Sequence, residues 1–405
     1  MLDSADADSF ACFSLTQRHP NNIRNLLENG PVPSPVAQKL ERLIAEIPSG
    51  TLRMLEDGGP DSARWQQWLA PYQGKTWLEA PYFFAETYLF RRILEASGYY
   101  LPGSPWFQRD PFGAEKHTEL ERLAPAVQAL IPATDFDRGA GWNALDLSRR
   151  LYSALWANRM DLTIQKGLAM EAVFTQWSDR DHLVMDDSRK FLDWLQGKRD
   201  LRLAWLADNA GAELFFDLWL AGYLLSTGLA AEVTFYLKDQ PIYLSDAVVP
   251  DVHALLATLD RYPDCRSWVL EIQEHLDAGR LRLCSESFST APLTFPQMAP
   301  RVPALFRACD LVVLKGDINY RRLIGDRVWP EEHRLEDLVP FMPAPVLLLR
   351  SLKSEVCLGV PGERRARLAQ QDPQWMTNGR WGMIQFLHRT NIDSNPVCGC
   401  NTQPL

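Results

Sequence analysis

Arg202-Leu203-Ala204-Trp205-Leu206-Ala207-Asp208-Asn209-Ala210-Gly211-Ala212-Glu213 carries the first signal of how this chain folds. A run of apolar residues, as long as a buried strand, stops at an Asp-Asn pair. A small Ala-Gly turn follows, and an amphipathic segment then begins at helical spacing. Downstream, further β-rich runs (Glu232–Leu237, Leu281–Cys284, Asp310–Leu314 and Pro345–Leu349) alternate with helical segments near 212–227, 247–260, 264–278 and 295–308. Trp381–Phe386 reads as a final strand. Strands alternating with helices predict βαβ units and a mainly parallel sheet covered on both faces.

Upstream the period is helical. Pro35–Ile47 places Val36, Leu40, Leu43 and Ile47 on one stripe, and Asp61 reads as a helix start. Trp77–Ala96 is rich in aromatics, and further helices are expected at 114–130 and 142–157. The expected fold class is α/β: a three-layer α/β/α domain over 161–405, preceded by an all-helical region over 1–160. The boundary between them falls somewhere in 150–200, where helices of the first part can also cover the sheet of the second.

Composition narrows the function. With 405 residues, 46% of them hydrophobic, the chain can bury a large core and is not disordered. Its 42 Lys+Arg against 51 Asp+Glu argue against nucleic acid or an anionic membrane surface as partner. No basic segment followed by an apolar one opens the sequence, so no secretory signal is read. The most apolar stretch, Leu214–Leu237, is interrupted by Asp217, Gly222 and Glu232, and reads as helix then strand rather than a membrane span. Seven irregularly spaced Cys suggest reduced thiols and a cytoplasmic location. Cys398-Gly399-Cys400 has no second pair or nearby His to complete a zinc site and reads as two exposed thiols.

Open parallel sheets bind ligands beyond the carboxyl ends of their strands. Here the first strand ends in Asp208-Asn209, and the second is followed by Lys238 and then Ser245-Asp246. The fourth ends in Lys315-Gly316-Asp317-Ile318-Asn319-Tyr320-Arg321, and the fifth in Arg350-Ser351-Leu352-Lys353. Asp208, Asn209 and Asp246 are hard oxygen donors, suited to Mg²⁺ or Mn²⁺ rather than Zn²⁺. Lys315, Arg321, Arg350 and Lys353 supply the positive charge that a phosphate dianion needs. Backbone N–H groups of a helix expected to start near Asn319 would add donors. An Asp-Asn pair alone is an ordinary turn, as is Lys-Gly-Asp. Their recurrence at four strand ends points instead to a metal and a basic clamp around one phosphate, a layout for phosphoryl transfer to water. P-loop, dinucleotide, HExxH and GxSxG patterns are absent, and the seven His are scattered.

At these residues the sequence resembles the damage-control phosphatases, formerly domain of unknown function 89, in particular their third subfamily, which includes the so-called acidic residue methyltransferases. The pieces are Asp208-Asn209-Ala210-Gly211 with Glu213, Ser245-Asp246, Lys315–Arg321 and Arg350–Lys353, with weaker matches at Glu86–Ile93, Asp110–Phe112 with Lys116, and Asn158 with Asp161. The resemblance implies a phosphatase dependent on Mn²⁺ or Mg²⁺, with Co²⁺ or Ni²⁺ as substitutes in vitro. It implies a small phosphorylated metabolite as substrate, such as fructose 1-phosphate or fructose 6-phosphate. Asp208, Asn209 and Asp246 would bind the metal, while Asp317, Ile318, Asn319, Tyr320, Arg321 and Lys353 would contact the sugar phosphate, joined by Lys315 and Arg350. Asp208 and Asp317 would be the catalytic carboxylates, with Glu213, Asn158 and Asp161 behind them. Ser351 stands where the subfamily has Thr. Whether metal-bound water or a carboxylate attacks is left open, as is oligomeric state. Two rivals are methyl transfer from S-adenosylmethionine to protein carboxylates, disfavoured by the lack of a Gly-rich first strand turn, and a non-catalytic binding protein, which would not need metal and phosphate motifs together.

Overall fold

A computed structural model describes residues 2, 4–30, 32–133, 141–165 and 180–388, without the side chains of 29, 132–133 and 160–165. Cys398, Cys400 and the Asp161 side chain therefore lie outside the described residues. Seven strands form one sheet in the order β1-β7-β6-β5-β2-β3-β4. They are β1 (Leu183–Asp186), β2 (Leu201–Leu206), β3 (Ala230–Leu237), β4 (Leu281–Ser285), β5 (Leu311–Lys315), β6 (Val346–Ser351) and β7 (Gly382–Leu387). Strands β2 to β6 are mutually parallel, while β7 runs antiparallel to β6 and pairs in parallel with β1. The α/β fold with a mainly parallel sheet is thus the one expected. The four-residue β1 lies outside the expected strands, being too short to show a period.

Helices cover both faces. On one side lie α1 (His19–Asn29), α2 (Ser34–Glu46), α3 (Ser62–Leu69) and α4 (Tyr82–Ser97); on the other lie α5 (Gly113–Ala133), α6 (Ala144–Gln165), α7 (Ser188–Leu195), α8 (Gly211–Ser226), α9 (Val249–Asp260) and α10 (Arg266–Asp277). The first side also receives α11 (Gly316–Ile324) and α12 (Gly362–Gln371). Strand alternation divides the two cores: Leu311 and Val313 of β5 face the α5–α10 side, and Val312 and Leu314 the other. Every residue of α8 from Gly211 to Leu225 is buried, which accounts for its apolar run. Among the described residues no helix is long and apolar enough to cross a membrane.

Prolines account for two departures from expectation. The helix expected over 77–96 is a 3₁₀ turn at Trp77–Glu79 followed by α4, with Pro81 between them. The helix expected over 295–308 is a 3₁₀ turn, Pro296–Met298, and a five-residue helix, Arg301–Leu305, because Pro296, Pro300 and Pro303 remove the donors a longer helix needs. Strand order supplies the position of the site. From β2 the chain moves outward through β3 and β4, then returns to β5 on the opposite side of β2. The crevice opened by that reversal lies over the carboxyl ends of β2 and β5.

Candidate active site

Backbone pairing brings the ends of β2 and β3 together. Ala247 N donates to Asp208 O at 2.8 Å, Ala210 N donates to Ser245 O at 2.7 Å, and Asn209 and Asp246 form an isolated antiparallel bridge. Lys116 of α5 ties this corner down, donating to Asp246 O at 2.8 Å and to the Asp110 and Asp251 carboxylates. Asn209 Nδ2 donates to Asp208 Oδ2 at 3.1 Å and to Glu213 Oε1 at 2.7 Å, while its Oδ1 accepts from Ser245 Oγ at 2.6 Å. Glu213 also accepts from Asn158 Nδ2, so two of the three residues expected behind the metal ligands, Glu213 and Asn158, are gathered there. Just before Asp246, Tyr243 and Leu244 adopt φ of 50° and 71°. Such a conformation costs each non-glycine residue about 1–3 kcal/mol and persists only where its surroundings enforce it. Tyr243 Oη is held by Thr87 Oγ1 at 2.6 Å, from α4.

The opposite wall is the start of α11, which begins at Gly316 rather than near Asn319. Gly316 has φ of 79°, and a Cβ there would stand 1.9 Å from Asp208 Oδ2. Glycine is thus required twice over, for the turn and for the approach of α11 to Asp208. Asp317 Oδ1 pairs with Arg350 Nη2 at 2.8 Å and accepts from Lys353 N at 3.3 Å, joining the ends of β5 and β6. Asp317, Ile318, Arg321 and Lys353 line one cavity of about 250 Å³ with Asp208, Asn209 and Asp246. Among the described residues no ion pair engages the Lys353 ammonium.

Of the other predicted residues, Lys315, Asn319, Tyr320 and Arg350 stand behind the wall. Lys315 is the last residue of β5, and alternation turns it to the α5–α10 side. There its ammonium meets Asp217 at 2.8 Å, Glu213 at 3.7 Å and Ala154 O at 2.6 Å. Asn319 Nδ2 donates to Ala207 O at 3.2 Å and Lys315 O at 2.9 Å, fastening α11 to β2. The Arg350 guanidinium stacks 4.0 Å from the centre of the Tyr320 ring, and Tyr320 Oη accepts from Leu358 N at 3.2 Å. Arg321 lines the cavity yet spends two bonds on scaffolding, at 2.6 Å to Glu86 Oε2 and 2.6 Å to Asp326 Oδ1.

Buried like charges dominate the metal side. Burial raises the Asp208 carboxyl well above the usual range, and Asp246 and Glu213 push the same way. Burial likewise pushes Asp246 up to about 6, although Lys238 stands 3.2 Å from it. Glu213 moves down: burial acts against that, but Lys315 and Lys353 outweigh it. A divalent cation would remove this repulsion, and the donor chemistry fits a hard ion: two carboxylates and an amide oxygen with one lone pair unused by Ser245. Among the described residues no three His, Cys, Asp or Glu side chains form a ready-made metal site. Such an ion would complete its shell with water or substrate oxygen.

The cavity also has walls that sequence reasoning missed: Arg18, His19 and Asn22 from the N-terminal segment, Glu86 and Phe90 from α4, and Leu244. Glu86 stands out in the sequence only inside a weak match. Nothing local marks these residues, since their partners lie tens to hundreds of positions away.

A family model described as the damage-control phosphatase ARMT1-like domain matches residues 14–368. Relatives named damage-control phosphatase ARMT1 include those of Xenopus laevis, 31% identical over 82% of this chain and 82% of that protein, Xenopus tropicalis, 30% over 82% of each, and human, 28% over 80% of each. A solved structure of a DUF89 family protein from Pyrococcus horikoshii is similar over 85% of this chain and 92% of that one, with a TM-score of 0.48 and 16% identity.

Proposed function

The chain belongs to the ARMT1-like damage-control phosphatases, and from that premise we propose that it is a divalent-metal-dependent phosphatase of small phosphometabolites, with fructose 1-phosphate or fructose 6-phosphate as representative substrates. One observation carries the reading: the ends of β2, β3, β5 and β6 converge on one cavity, with Asp208 and Asp246 on one wall and, on the other, the Lys353 ammonium, which acts on Asp208 and Glu213 at a distance and forms no ion pair among the described residues. Asp208, Asn209 and Asp246 would hold Mn²⁺ or Mg²⁺, which when bound supplies Lewis-acid polarisation of a phosphoryl oxygen. Lys353 meets the phosphate with its ammonium and stabilises charge on the transferring group. Asp317, held by Arg350 and by the Lys353 backbone, keeps that lysine and the start of α11 in register. Lys315 and Arg350 act on charge and geometry from behind the wall rather than as phosphate ligands.

The test strips purified protein with chelator, restores Mn²⁺, Mg²⁺ or Co²⁺, and measures phosphate release from an aryl phosphate and a sugar-phosphate panel. Metal-dependent release is expected, and its absence under every metal would sink the reading. A labelled-methyl transfer assay on the same sample is expected to be blank.

A further inference from the structure

Strand ends supply the Lys353 side of the cavity wall, and the N-terminal segment adds Arg18, His19 and Asn22 to the same lining. Leu2 N donates to Asp326 O at 2.9 Å, anchoring the segment beside the loop that holds Arg321. A short helix at Phe10–Phe13 then passes into a π-helical turn, Ser14–Arg18, where His19 N donates to Ser14 O. Pro20 has no N–H for the ordinary bond to Thr16 O, which favours the wider register. One extra residue in a turn rotates the succeeding helix by about 100° around its axis. Arg18, His19 and Asn22 line the cavity at and just after that turn.

Arg18 and His19 meet at Glu86. Its carboxylate accepts from Arg321 Nη1 at 2.6 Å, Tyr82 Oη at 2.9 Å and His19 Nε2 at 3.1 Å, and burial opposes but does not prevent a carboxyl held well below its usual range. Arg18 is the weakest partner: its Nη2 stands 3.3 Å from Glu86 Oε1 and 3.4 Å from Tyr82 Oη, and its Nε has no partner among the described residues. Its side chain is 34% exposed, against 4% for Glu86. Glu86 keeps three partners if Arg18 turns away, and the guanidinium, which also lies 5.2 Å from the centre of the Phe10 ring, can exchange this long contact for a ligand. Arg18 and Arg321 balance Glu86 and Asp326, so this end offers N–H donors without the surplus positive charge a second phosphate would need.

We infer that Arg18 is a specificity-determining residue that donates to hydroxyl oxygens on the non-phosphate end of the substrate. The inference rests on the phosphatase reading of the same cavity, since that reading places the phosphate at Lys353. It makes the N-terminal segment part of the site rather than packing alone.

Fructose 1-phosphate and inorganic phosphate are titrated calorimetrically into Mn²⁺-loaded wild type, Arg18→Met and Arg18→Lys, and hydrolysis is followed on the same samples with an aryl phosphate as second substrate. Arg18→Met is expected to weaken fructose 1-phosphate by about tenfold or more, the worth of a charge-assisted hydrogen bond, and to raise its KM alike with little change in kcat. Inorganic phosphate affinity and aryl phosphate KM should not move, and Arg18→Lys should recover part of the loss. Equal losses for both ligands, or none, would overturn the assignment, as would a wild type that binds no sugar phosphate. A wild type that binds fructose 1-phosphate without hydrolysing it refutes the phosphatase reading instead, and the affinities then decide Arg18 alone.

Discussion

Asp208 and Asp246 sit together at the ends of β2 and β3 with Glu213 behind Asn209, whereas Glu86 and Arg321 line the same cavity and alternate in sign with Asp326 behind them. The first group is buried charge without enough compensation, and burial and mutual repulsion drive the two aspartates upward. The second is buried charge answered by opposite charge: Arg321 bridges two carboxylates, and Glu86 is held low. Burying ions is costly in either case. Opposite signs at bonding distance repay part of that cost within the chain, while like signs leave it to be repaid by something bound. On the proposed reading the unsatisfied cluster would take the cation, and the satisfied one would serve as scaffold.

The sharpest way to break this contrast is Asp208→Asn. Metal-dependent phosphate release is expected to fall by about a thousandfold or more, since a charged ligand of the proposed metal becomes a neutral one, while the melting temperature in chelator stays level or rises because a repelling carboxylate has gone. A large loss of stability would mean that Asp208 is scaffold after all. Arg321→Met should do the reverse first: stranding Glu86 and Asp326 costs about 3–5 kcal/mol, read as a lower midpoint in urea before any kinetic effect is considered. Next in size is Lys353→Ala, expected to raise KM for a phosphorylated substrate by about tenfold with a smaller change in kcat. A fall in kcat at constant KM would contradict a role in binding phosphate.

The smallest effect is on pH. A carboxyl whose folded pKa lies above its unfolded value favours the folded state while protonated. Its contribution is lost as pH rises from the ordinary range near ~4 towards about 6 for Asp246, and the penalty then remains. Metal-free protein should therefore lose stability from these groups across that window, and excess Mn²⁺ should restore it increasingly above it, because metal binding competes with the protons. Melting curves with chelator and with Mn²⁺, compared at several pH values, measure the difference. Parallel curves would show that the ion does not bind these carboxylates.

Legibility differed between the strand ends and everything around them. Asp208, Asn209 and Asp246 could be singled out because a strand's end is visible as a change of period, and polar groups recur after four such ends where one alone would read as a turn. Lys315 and Arg350 stand on the same strand ends and read as phosphate ligands. For Lys315, alternation along β5 turns the side chain toward Asp217, a fact that depends on which core each face of the strand meets. For Arg350, the ring of Tyr320 and the carboxylate of Asp317 close around it. Gly316 lies inside a legible motif, but only its distance to Asp208 shows why no side chain fits there.

Sequence alone determined that this is an α/β chain with a mainly parallel sheet, that hard oxygen donors follow two of its strands, and that the chain resembles the damage-control phosphatases. Those facts are local: period, turn residues and short motifs express themselves within a few positions. Tertiary structure decided which charges face the cavity and which face each other. It also decided that β1 and β7 close one edge of the sheet and that an N-terminal segment completes the pocket. Such pairings are set by packing between residues as distant as Glu86 and Arg321, and burial then fixes whether each charge is compensated within the chain or left for a ligand.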